Sequence, residues 1–291
     1  RAYIRACGAR GSKIKISAMA QPSKNGRQTA SSIMKALFRR LFGRLYWVNY
    51  SSTLSYKGAW KNGTFHGEGQ LKYSNGTTFH GAFLNGLRHG SGVLRSSSGF
   101  RYAGDWSKGK KTGFAIISYK NGSYFRGNVL DGLRHGHGEI FDALSKIRFK
   151  GAWTKDTIQG EVTITSAQWL FKGPMPDHLG KTIGEMKYSD GSVYHGEMMD
   201  FIRHGQGKLE TNLKETIEGI WKDNVNVEKA QKWDVDGAFW KGSLRNLKPQ
   251  GYMHVRLPNG QQYDGLWENG AMLRVLSVQH QSGKVSPYHV H

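Results

Sequence analysis

The chain has 291 residues with 42 Lys and Arg against 21 Asp and Glu, a basic balance that favours anionic partners such as phosphoinositides, nucleic acid or acidic protein surfaces. Its 39 Gly, 13 Tyr, 13 Phe and 9 Trp beside only 6 Pro exclude a collagen-like or disordered chain and indicate tightly turned β-structure. Cys7 is the single cysteine, which excludes an intrachain disulfide and favours a reducing, cytoplasmic compartment, and no apolar run reaches the roughly 18 residues of a membrane-spanning helix.

The first 55 residues carry the most concentrated charge, with 11 Lys and Arg and no Asp or Glu. We expect residues 1–31 to form a basic leader that is disordered or extended. An Arg-rich, acid-free leader is also typical of an organellar transit peptide, so import into an organelle stays open. The chain begins with Arg1, and Met19 and Met34 are candidate biological starts.

A basic amphipathic helix is predicted over residues 32–48, because apolar residues follow helical spacing on one side and Lys and Arg fall largely on the other. Ser31 or Ser32 can cap its start, and Tyr46 and Trp47 form an aromatic pair typical of an interface. Three roles for this helix stay open. It caps the open end of a repeat array, it inserts at an anionic membrane surface, or it docks on an acidic protein. Its candidate membrane- or partner-binding residues are Lys35, Leu37, Phe38, Arg39, Arg40, Phe42, Arg44 and Trp47.

A repeat of about 23 residues begins at Tyr56 and returns through the rest of the chain. Alternation along a strand places Tyr56, Gly58 and Trp60 on one face, so one face is aromatic and the other is polar. Two residues after the first position, a Gly stands in all ten copies. The first position recurs at Phe79, Tyr102, Phe125, Phe149, Phe171, Tyr194, Ile217, Trp240 and Tyr263.

Each copy predicts a β-hairpin. Asn62-Gly63 supplies the two positive φ angles of a type I′ turn, and the returning strand brings Gly67 and Gly69, whose missing side chains leave room for aromatic rings. Because a lone hairpin is marginally stable, each copy needs the next to cover its aromatic face. Two strands per copy, about 4.8 Å apart, predict a sheet on the order of 100 Å long. The structural repeat positions are Tyr56, Gly58, Trp60, Gly63, Gly67, Gly69, Gly81, Gly104, Gly127, Gly151, Gly196 and Gly265.

The pattern Tyr-x-Gly-x-Trp-x-x-Gly-x-x-His-Gly-x-Gly closely resembles the MORN repeat (membrane occupation and recognition nexus). With the hairpin pattern, the resemblance implies an all-β fold: an elongated, twisted antiparallel sheet of about ten tandem hairpins over residues 56–275, followed by a tail over 276–291. Two stretches depart from the pattern, one near 171–184 and one near 223–239. In the first, Pro174 and Pro176 remove ladder donors and predict a bend.

Two kinds of polar residue recur at fixed repeat positions. Four histidines share one slot, but equivalent positions lie about 10 Å apart, too far for one metal ion, so we interpret them as imidazoles hydrogen-bonded at strand ends and predict no metal site. An arginine precedes three of these histidines, either as a solvated turn residue or in a row along one edge that meets phosphates or carboxylates. The histidines are His66, His89, His135 and His204, and the candidate anionic-partner edge is Arg88, Arg134 and Arg203.

No nucleophile elbow, Walker loop, His-Glu-x-x-His or Cys-x-x-Cys motif is present, so we predict no enzyme, no catalytic residue and no cofactor. The resemblance implies a structural scaffold whose rod binds and organises partner proteins with acidic surfaces, in a cytoskeletal, ciliary or axonemal assembly. One alternative is a peripheral membrane tether that binds anionic phospholipid through the basic helix. A second is a nucleic-acid- or ribosome-associated protein, and unpaired edge strands predict a homodimer.

Overall fold

The computed structural model describes residues 47–279 and the backbone of residues 285–287. These residues form antiparallel strands joined by turns and loops, and no segment among them is a helix of the length and hydrophobicity needed to cross a membrane. The chain divides into two compact units, the first ending at Leu144 and the second beginning at Ser145. The all-β prediction is therefore confirmed over the described part of the chain.

In the first unit, each strand pairs with the next along the chain, and eight of the strands form four hairpins from β2/β3 to β8/β9. The strands are β1 (Val48–Asn49), β2 (Leu54–Lys61), β3 (Thr64–Tyr73), β4 (Thr78–Leu84), β5 (Leu87–Arg95), β6 (Arg101–Ser107), β7 (Lys110–Ser118), β8 (Tyr124–Leu130) and β9 (Leu133–Asp142).

In the second unit, six hairpins from β10/β11 to β20/β21 follow the same scheme, and a short last strand pairs with β21. The strands are β10 (Ile147–Thr154), β11 (Thr157–Thr165), β12 (Trp169–Pro174), β13 (Lys181–Tyr188), β14 (Val193–Met199), β15 (Ile202–Glu210), β16 (Thr216–Lys222), β17 (Asn226–Trp233), β18 (Phe239–Arg245), β19 (Lys248–Arg256), β20 (Gln262–Glu268), β21 (Ala271–Gln279) and β22 (Val285–Pro287).

The predicted turns are confirmed. Asn62 and Gly63 both lie in the left-handed region, with φ of 49° and 75°, as a type I′ turn requires. Nine of the ten described hairpins turn on two such residues. The exception is the hairpin of β12 and β13, where residues 175–180 form a longer connection after Pro174. A proline has no N–H to donate to a ladder, which accounts for the early end of β12.

Each regular hairpin contains a bulge that explains one of its glycines. Between the pairs Gly58–Gly69 and Trp60–Phe65, β2 has one residue where β3 has three. Gly67 lies at this bulge with φ of +62°, and a Cβ there would meet only the Ala59 Cβ, at 3.6 Å. The expectation that Gly67 makes room for a ring is therefore wrong: its glycine serves a backbone conformation that other residues rarely adopt.

The first aromatic position of the repeat packs on bare backbone, as predicted for Gly69. Tyr56 is fully buried, and a Cβ on Gly69 would collide with its ring. The Tyr56 hydroxyl donates a hydrogen bond of 2.9 Å to the carbonyl of Ala59, the residue at the bulge. Burial raises the pKa of Tyr56 to about 12, so the hydroxyl stays a donor at neutral pH.

Aromatic rings connect successive hairpins within the first unit. Tyr56 stacks on Phe65 at a centroid distance of 4.1 Å and meets Phe83 of the next hairpin edge to face at 5.4 Å. Phe79 meets Trp106 of the following hairpin at 5.2 Å. The second and third hairpins thus cover rings of the hairpin before them, which is the packing that an isolated hairpin lacks.

The first repeat positions form much of the core in both units. Seven of the ten are almost completely buried: Tyr56, Phe79, Tyr102, Phe125, Phe171, Tyr194 and Ile217. Phe149, Trp240 and Tyr263 are half-buried. At Phe149 and Trp240, the partner glycine of the regular hairpin is replaced by Val162 and Met253, whose buried side chains fill the space over the glycine two residues after the ring.

Two predicted boundaries differ from the structure. The helix predicted over residues 32–48 does not include Val48, which pairs with Tyr56 in β1; residues 32–46 lie outside the described residues. At the other end, β21 continues to Gln279 and β22 pairs with it, so the segment predicted as a tail begins in a strand.

Candidate functional site

Arg88 lies on the aromatic face of the first unit. It pairs across the β4/β5 hairpin with buried Phe83, and its guanidinium carbon is 4.2 Å from the centroid of the Trp106 ring and 5.7 Å from that of Phe79. Trp106 is only 3% exposed, and its indole N–H donates to the carbonyl of Gly92 at 3.4 Å. A cation over a covered ring gains about 1–2 kcal/mol, so Trp106 fixes the guanidinium in place.

Lys111 continues this arrangement on the next hairpin. It lies 23 residues after Arg88 and pairs with Trp106 in the same hairpin register. Its Nζ is 5.0 Å from the Phe100 centroid and 5.1 Å from the Tyr102 centroid. Burial foremost, and then the charge of Arg88, lower the pKa of Lys111, because both disfavour the ammonium form. We call Arg88 and Lys111 the basic pair.

The basic pair has no counter-ion within the described part of the first unit. Residues 47–144 contain five acidic residues, and none forms an ion pair with Arg88 or Lys111. Four of their side chains lie on the opposite face or at a hairpin tip, and Asp142 lies at the end of β9. Asp105 accepts from Ser91, Asp131 pairs with Lys110, Glu139 with Arg126, Asp142 accepts from Ser123, and Glu68 stands opposite Ala82.

Arg88 and Arg203, two of the three arginines predicted to meet an anionic partner, both cover rings of the aromatic face. Arg203 lies 4.8 Å from the Trp221 centroid, and the Trp221 indole N–H donates to the Gly207 carbonyl at 2.9 Å. Arg134 occupies the equivalent register, paired with Val129. The three arginines therefore share a repeat position on the aromatic face of their hairpins.

Arg203 differs from Arg88 in having partners. Its Nε donates to Asn224 Oδ1 at 3.4 Å, and its backbone N–H donates to the same oxygen at 2.8 Å. Burial lowers the pKa of Arg203, opposed by Tyr188, Tyr194 and Asp190 nearby. This arginine is tied into the fold of its own unit.

Sequence reasoning missed Lys111, because its motif, Lys-Lys-Thr-Gly, lacks the Leu-Arg-His-Gly signature of its neighbours. The 23-residue period could have identified it, because Lys111 lies 23 residues after Arg88 and 23 residues before Arg134. Of the candidate residues of the N-terminal helix, Trp47 alone is described, and it is exposed before β1. The others, Lys35, Leu37, Phe38, Arg39, Arg40, Phe42 and Arg44, lie outside the described residues.

The histidine slot differs in part from its interpretation. The Nδ1 atoms of His66 and His89 are buried and make no hydrogen bond among the described residues, so the expected hydrogen bond is wrong for those two atoms. In the same part of the chain, His, Cys, Asp and Glu do not gather in groups of three that could hold a metal ion.

Polar clusters in the second unit are satisfied internally. Lys232 forms ion pairs with Glu215 and Asp234, both at 2.9 Å. Asp264 accepts hydrogen bonds from Ser277 and Tyr252, both at 2.7 Å, and lies 3.0 Å from Nδ1 of His254. Because Ser277 bonds to the carboxylate and not to His254, this cluster lacks the serine-to-imidazole contact of a nucleophilic triad. The basic pair is therefore the stronger candidate site.

Comparison with known structures gives distant likenesses only. The TCP domain of SAS-4 (dCPAP) of Drosophila melanogaster, solved in complex with a proline-rich motif of Ana2 (dSTIL), is 12% identical over 69% of this chain and 85% of that chain, with a TM-score of 0.22. The TCP10c domain of Drosophila melanogaster Sas-4 is 13% identical over 69% and 93%, with a TM-score of 0.22. BamB of Moraxella catarrhalis is 10% identical over 87% and 97%, with a TM-score of 0.17. Scores this low support no conclusion about fold or function.

No curated protein matches the chain. The family model of the MORN repeat matches four consecutive stretches, residues 56–78, 79–101, 102–124 and 125–141. These stretches correspond to the four hairpins of the first unit, each with the turn, bulge and ring packing described above. The four hairpins of residues 56–141 are therefore MORN repeats.

Proposed function

We propose that this protein is a non-catalytic scaffold whose first unit binds an anionic partner protein at the basic pair. The observation that carries the proposal is that Arg88 and Lys111 are half-buried over aromatic rings with no carboxylate partner in the described residues. A cation that has lost part of its hydration without gaining a counter-ion favours an incoming anion. A carboxylate beside either cation forms a charge-assisted hydrogen bond with it.

The distribution of charge supports the first unit as the binding unit. Residues 47–144 contain 12 Lys and Arg against 5 Asp and Glu, whereas residues 145–279 contain 18 against 16. An excess of one sign attracts partners of the other and speeds their association. The second unit is almost balanced, and several of its acids pair with its own lysines.

The proposal carries over the setting that the family resemblance suggests, a cytoskeletal or axonemal assembly. Homodimerisation through edge strands and contact of the N-terminal segment with anionic lipid stay predictions for separate experiments. The binding site at the basic pair depends on none of them.

The test is co-isolation of partner proteins with the full chain and two charge-matched variants. Arg88→Gln/Lys111→Gln removes the basic pair. Lys57→Gln/Lys72→Gln removes the same charge from the opposite face, because Lys57 and Lys72 alternate with Tyr56 and Leu71 along β2 and β3. We expect partners recovered with the wild type to be lost with the first variant and kept with the second.

Circular dichroism and thermal unfolding verify that both variants fold. An unchanged partner set for Arg88→Gln/Lys111→Gln contradicts a binding role for the basic pair. Equal loss of partners with both variants means that binding depends on net charge and not on the position of the basic pair, which also contradicts the proposal.

A further inference from the structure

We infer that the basic pair recognises two carboxylates about 10 Å apart on one acidic peptide segment that runs across the strands of the first unit. This inference rests on the proposed function and adds the geometry of the ligand. Three features support this geometry: the separation of Arg88 and Lys111, the fixed position of the Arg88 guanidinium, and the presence of two cations without a counter-ion.

The separation follows from the register. Arg88 lies in β5 and Lys111 in β7, and each occupies the same position of its hairpin, opposite Phe83 and Trp106. Neighbouring strands lie about 4.8 Å apart, so equivalent residues two strands apart are separated by roughly 10 Å. Both side chains extend over rings of β6, Arg88 over Trp106 and Lys111 over Tyr102. Two carboxylates that meet both charges at once therefore need a spacing on the order of 10 Å.

The position of Arg88 is constrained, which makes the spacing selective. Its guanidinium lies 4.2 Å from the Trp106 centroid, and Trp106 is itself anchored to Gly92. A stacked guanidinium keeps its N–H groups for in-plane, bidentate hydrogen bonds to a carboxylate. Lys111 contributes a point charge with rotatable donors and tolerates small errors in position.

A peptide fits these features better than a membrane or a nucleic acid. Each basic residue near an anionic bilayer contributes little by itself, so stable binding draws on a cluster of about 4–8 basic residues. Nucleic-acid binding likewise depends on many phosphate contacts. The basic pair offers two cations partly buried on a sheet face, a match for two side chains of one segment.

Polyproline II peptides supply rigid rulers for the test, since they have three residues per turn and rise about 3.1 Å per residue. Glutamates at i and i+3 of a proline host therefore lie on one side, about 9 Å apart. The probes are a labelled 12-residue proline host with Glu at i and i+3, and the same composition with Glu at i and i+1. Fluorescence anisotropy at low ionic strength measures binding to the full chain, to Arg88→Gln/Lys111→Gln and to Lys57→Gln/Lys72→Gln.

We expect the i, i+3 peptide to bind at least about three-fold more tightly than the i, i+1 peptide. The Arg88→Gln/Lys111→Gln variant should weaken the i, i+3 peptide about ten-fold or more, as the loss of two partly desolvated ion pairs predicts, and should abolish the preference between peptides. The Lys57→Gln/Lys72→Gln variant should keep the preference. A parallel arm uses vesicles of phosphatidylcholine with one-fifth phosphatidylserine, to which we expect no binding that depends on the basic pair.

Equal binding of the two peptides overturns the inferred spacing, and vesicle binding that depends on Arg88 and Lys111 overturns the peptide as ligand. If the peptides fail to discriminate while Arg88→Gln/Lys111→Gln still loses its co-isolated partners, the geometry is wrong and the proposed function stands. If neither the peptides nor the partners respond to the variant, the proposed function fails as well.

Discussion

Lys232 gives the sharpest test of how the second unit is stabilised. Its Nζ lies 2.9 Å from Glu215 Oε1 and 2.9 Å from Asp234 Oδ1, and the three side chains are 17%, 27% and 21% exposed. Lys232→Met keeps an unbranched four-atom chain, removes the ammonium and leaves two partly buried carboxylates without a cation. Removing one partner of a fully buried ion pair costs about 3–5 kcal/mol, and because water still reaches these groups we expect about 2–3 kcal/mol.

The assay is urea unfolding followed by tryptophan fluorescence. With a urea slope of roughly 1–3 kcal/mol per molar, the midpoint should fall by about 1–2 M at constant slope. Lys214→Met is the control, because Lys214 pairs with Glu210 at 3.1 Å but the two side chains are 73% and 50% exposed. An exposed pair contributes under about 1 kcal/mol, so the control should shift the midpoint little.

A second step isolates the electrostatic cause. Adding Glu215→Gln and Asp234→Asn to Lys232→Met removes both charges. The wild-type Asp234 carboxylate accepts the indole N–H of Trp240 at 2.6 Å, and the carbonyl of the introduced amide can still accept it. Most of the lost stability should return. If Lys232→Met differs from Lys214→Met by less than about 0.5 kcal/mol, or the neutral triple variant recovers nothing, the ion-pair argument is refuted.

Two further predictions concern glycine packing and pH. Gly207→Ala should lower the free energy of unfolding by about 2–3 kcal/mol, because its Cβ would collide with the Tyr194 ring. Gly251→Ala, in open space at φ of +72°, should cost only about 1 kcal/mol of backbone strain; equal urea midpoints would contradict the packing argument. Burial raises the pKa of Asp264, but hydrogen bonds from three side chains outweigh it and hold the pKa below its usual value. Its stabilisation is therefore present above the unfolded pKa of about 3.9 and lost as pH falls through the folded pKa. Asp264→Asn should lower the melting temperature most at pH 7, and the difference should shrink as the pH falls below about 4; a pH-independent difference would refute the linkage.

The repeat and its turns could be predicted from sequence, because each depends on residues close together in the chain. Asn62-Gly63 sets a turn by its own φ preferences, and the fixed distance from Tyr56 to Gly58 sets the face. Turns without glycine were missed. Asp200 and Phe201 have φ of 51° and 64°, and the Phe201 ring stacks on Trp169 at 5.7 Å. A contact from another hairpin stabilises that turn, and local propensity does not reveal it.

The face of the sheet on which Arg88 lies can be predicted from the alternation of residues along β5. Every second residue counted back from Gly92 lies on the aromatic face, which places Gly90 and then Arg88 there. The bulge does not change the face of Arg88, because it inserts two residues, an even number, into β5 relative to β4. By itself, the Leu-Arg-His-Gly motif indicates a turn or a strand edge, and alternation from the glycine is needed to identify the face. The same counting also places Lys111 on that face.

The ion cluster of Lys232 could not be predicted. In other copies its position holds apolar residues such as Leu71 and Ile117, so the repeat predicts a hydrophobic side chain there. Its partner Glu215 is 17 residues away and approaches because Thr216 pairs with Trp233 in the β16/β17 ladder. Only the sheet register brings the two charges together.

One repeat position therefore plays two roles, and its surroundings decide which. Arg88 and Arg203 each cover a tryptophan whose indole N–H donates to a glycine carbonyl of the preceding hairpin. In the second unit, Asn224 accepts from the guanidinium and acidic residues nearly balance the basic ones, so Arg203 serves the fold. In the first unit Arg88 has the same ring beneath it but no polar partner among the described residues, and Lys111 beside it adds repulsion that an anion relieves. Identical register thus gives the same ring contact in both units, while the binding that we propose depends on which copies leave a partly desolvated charge unpaired.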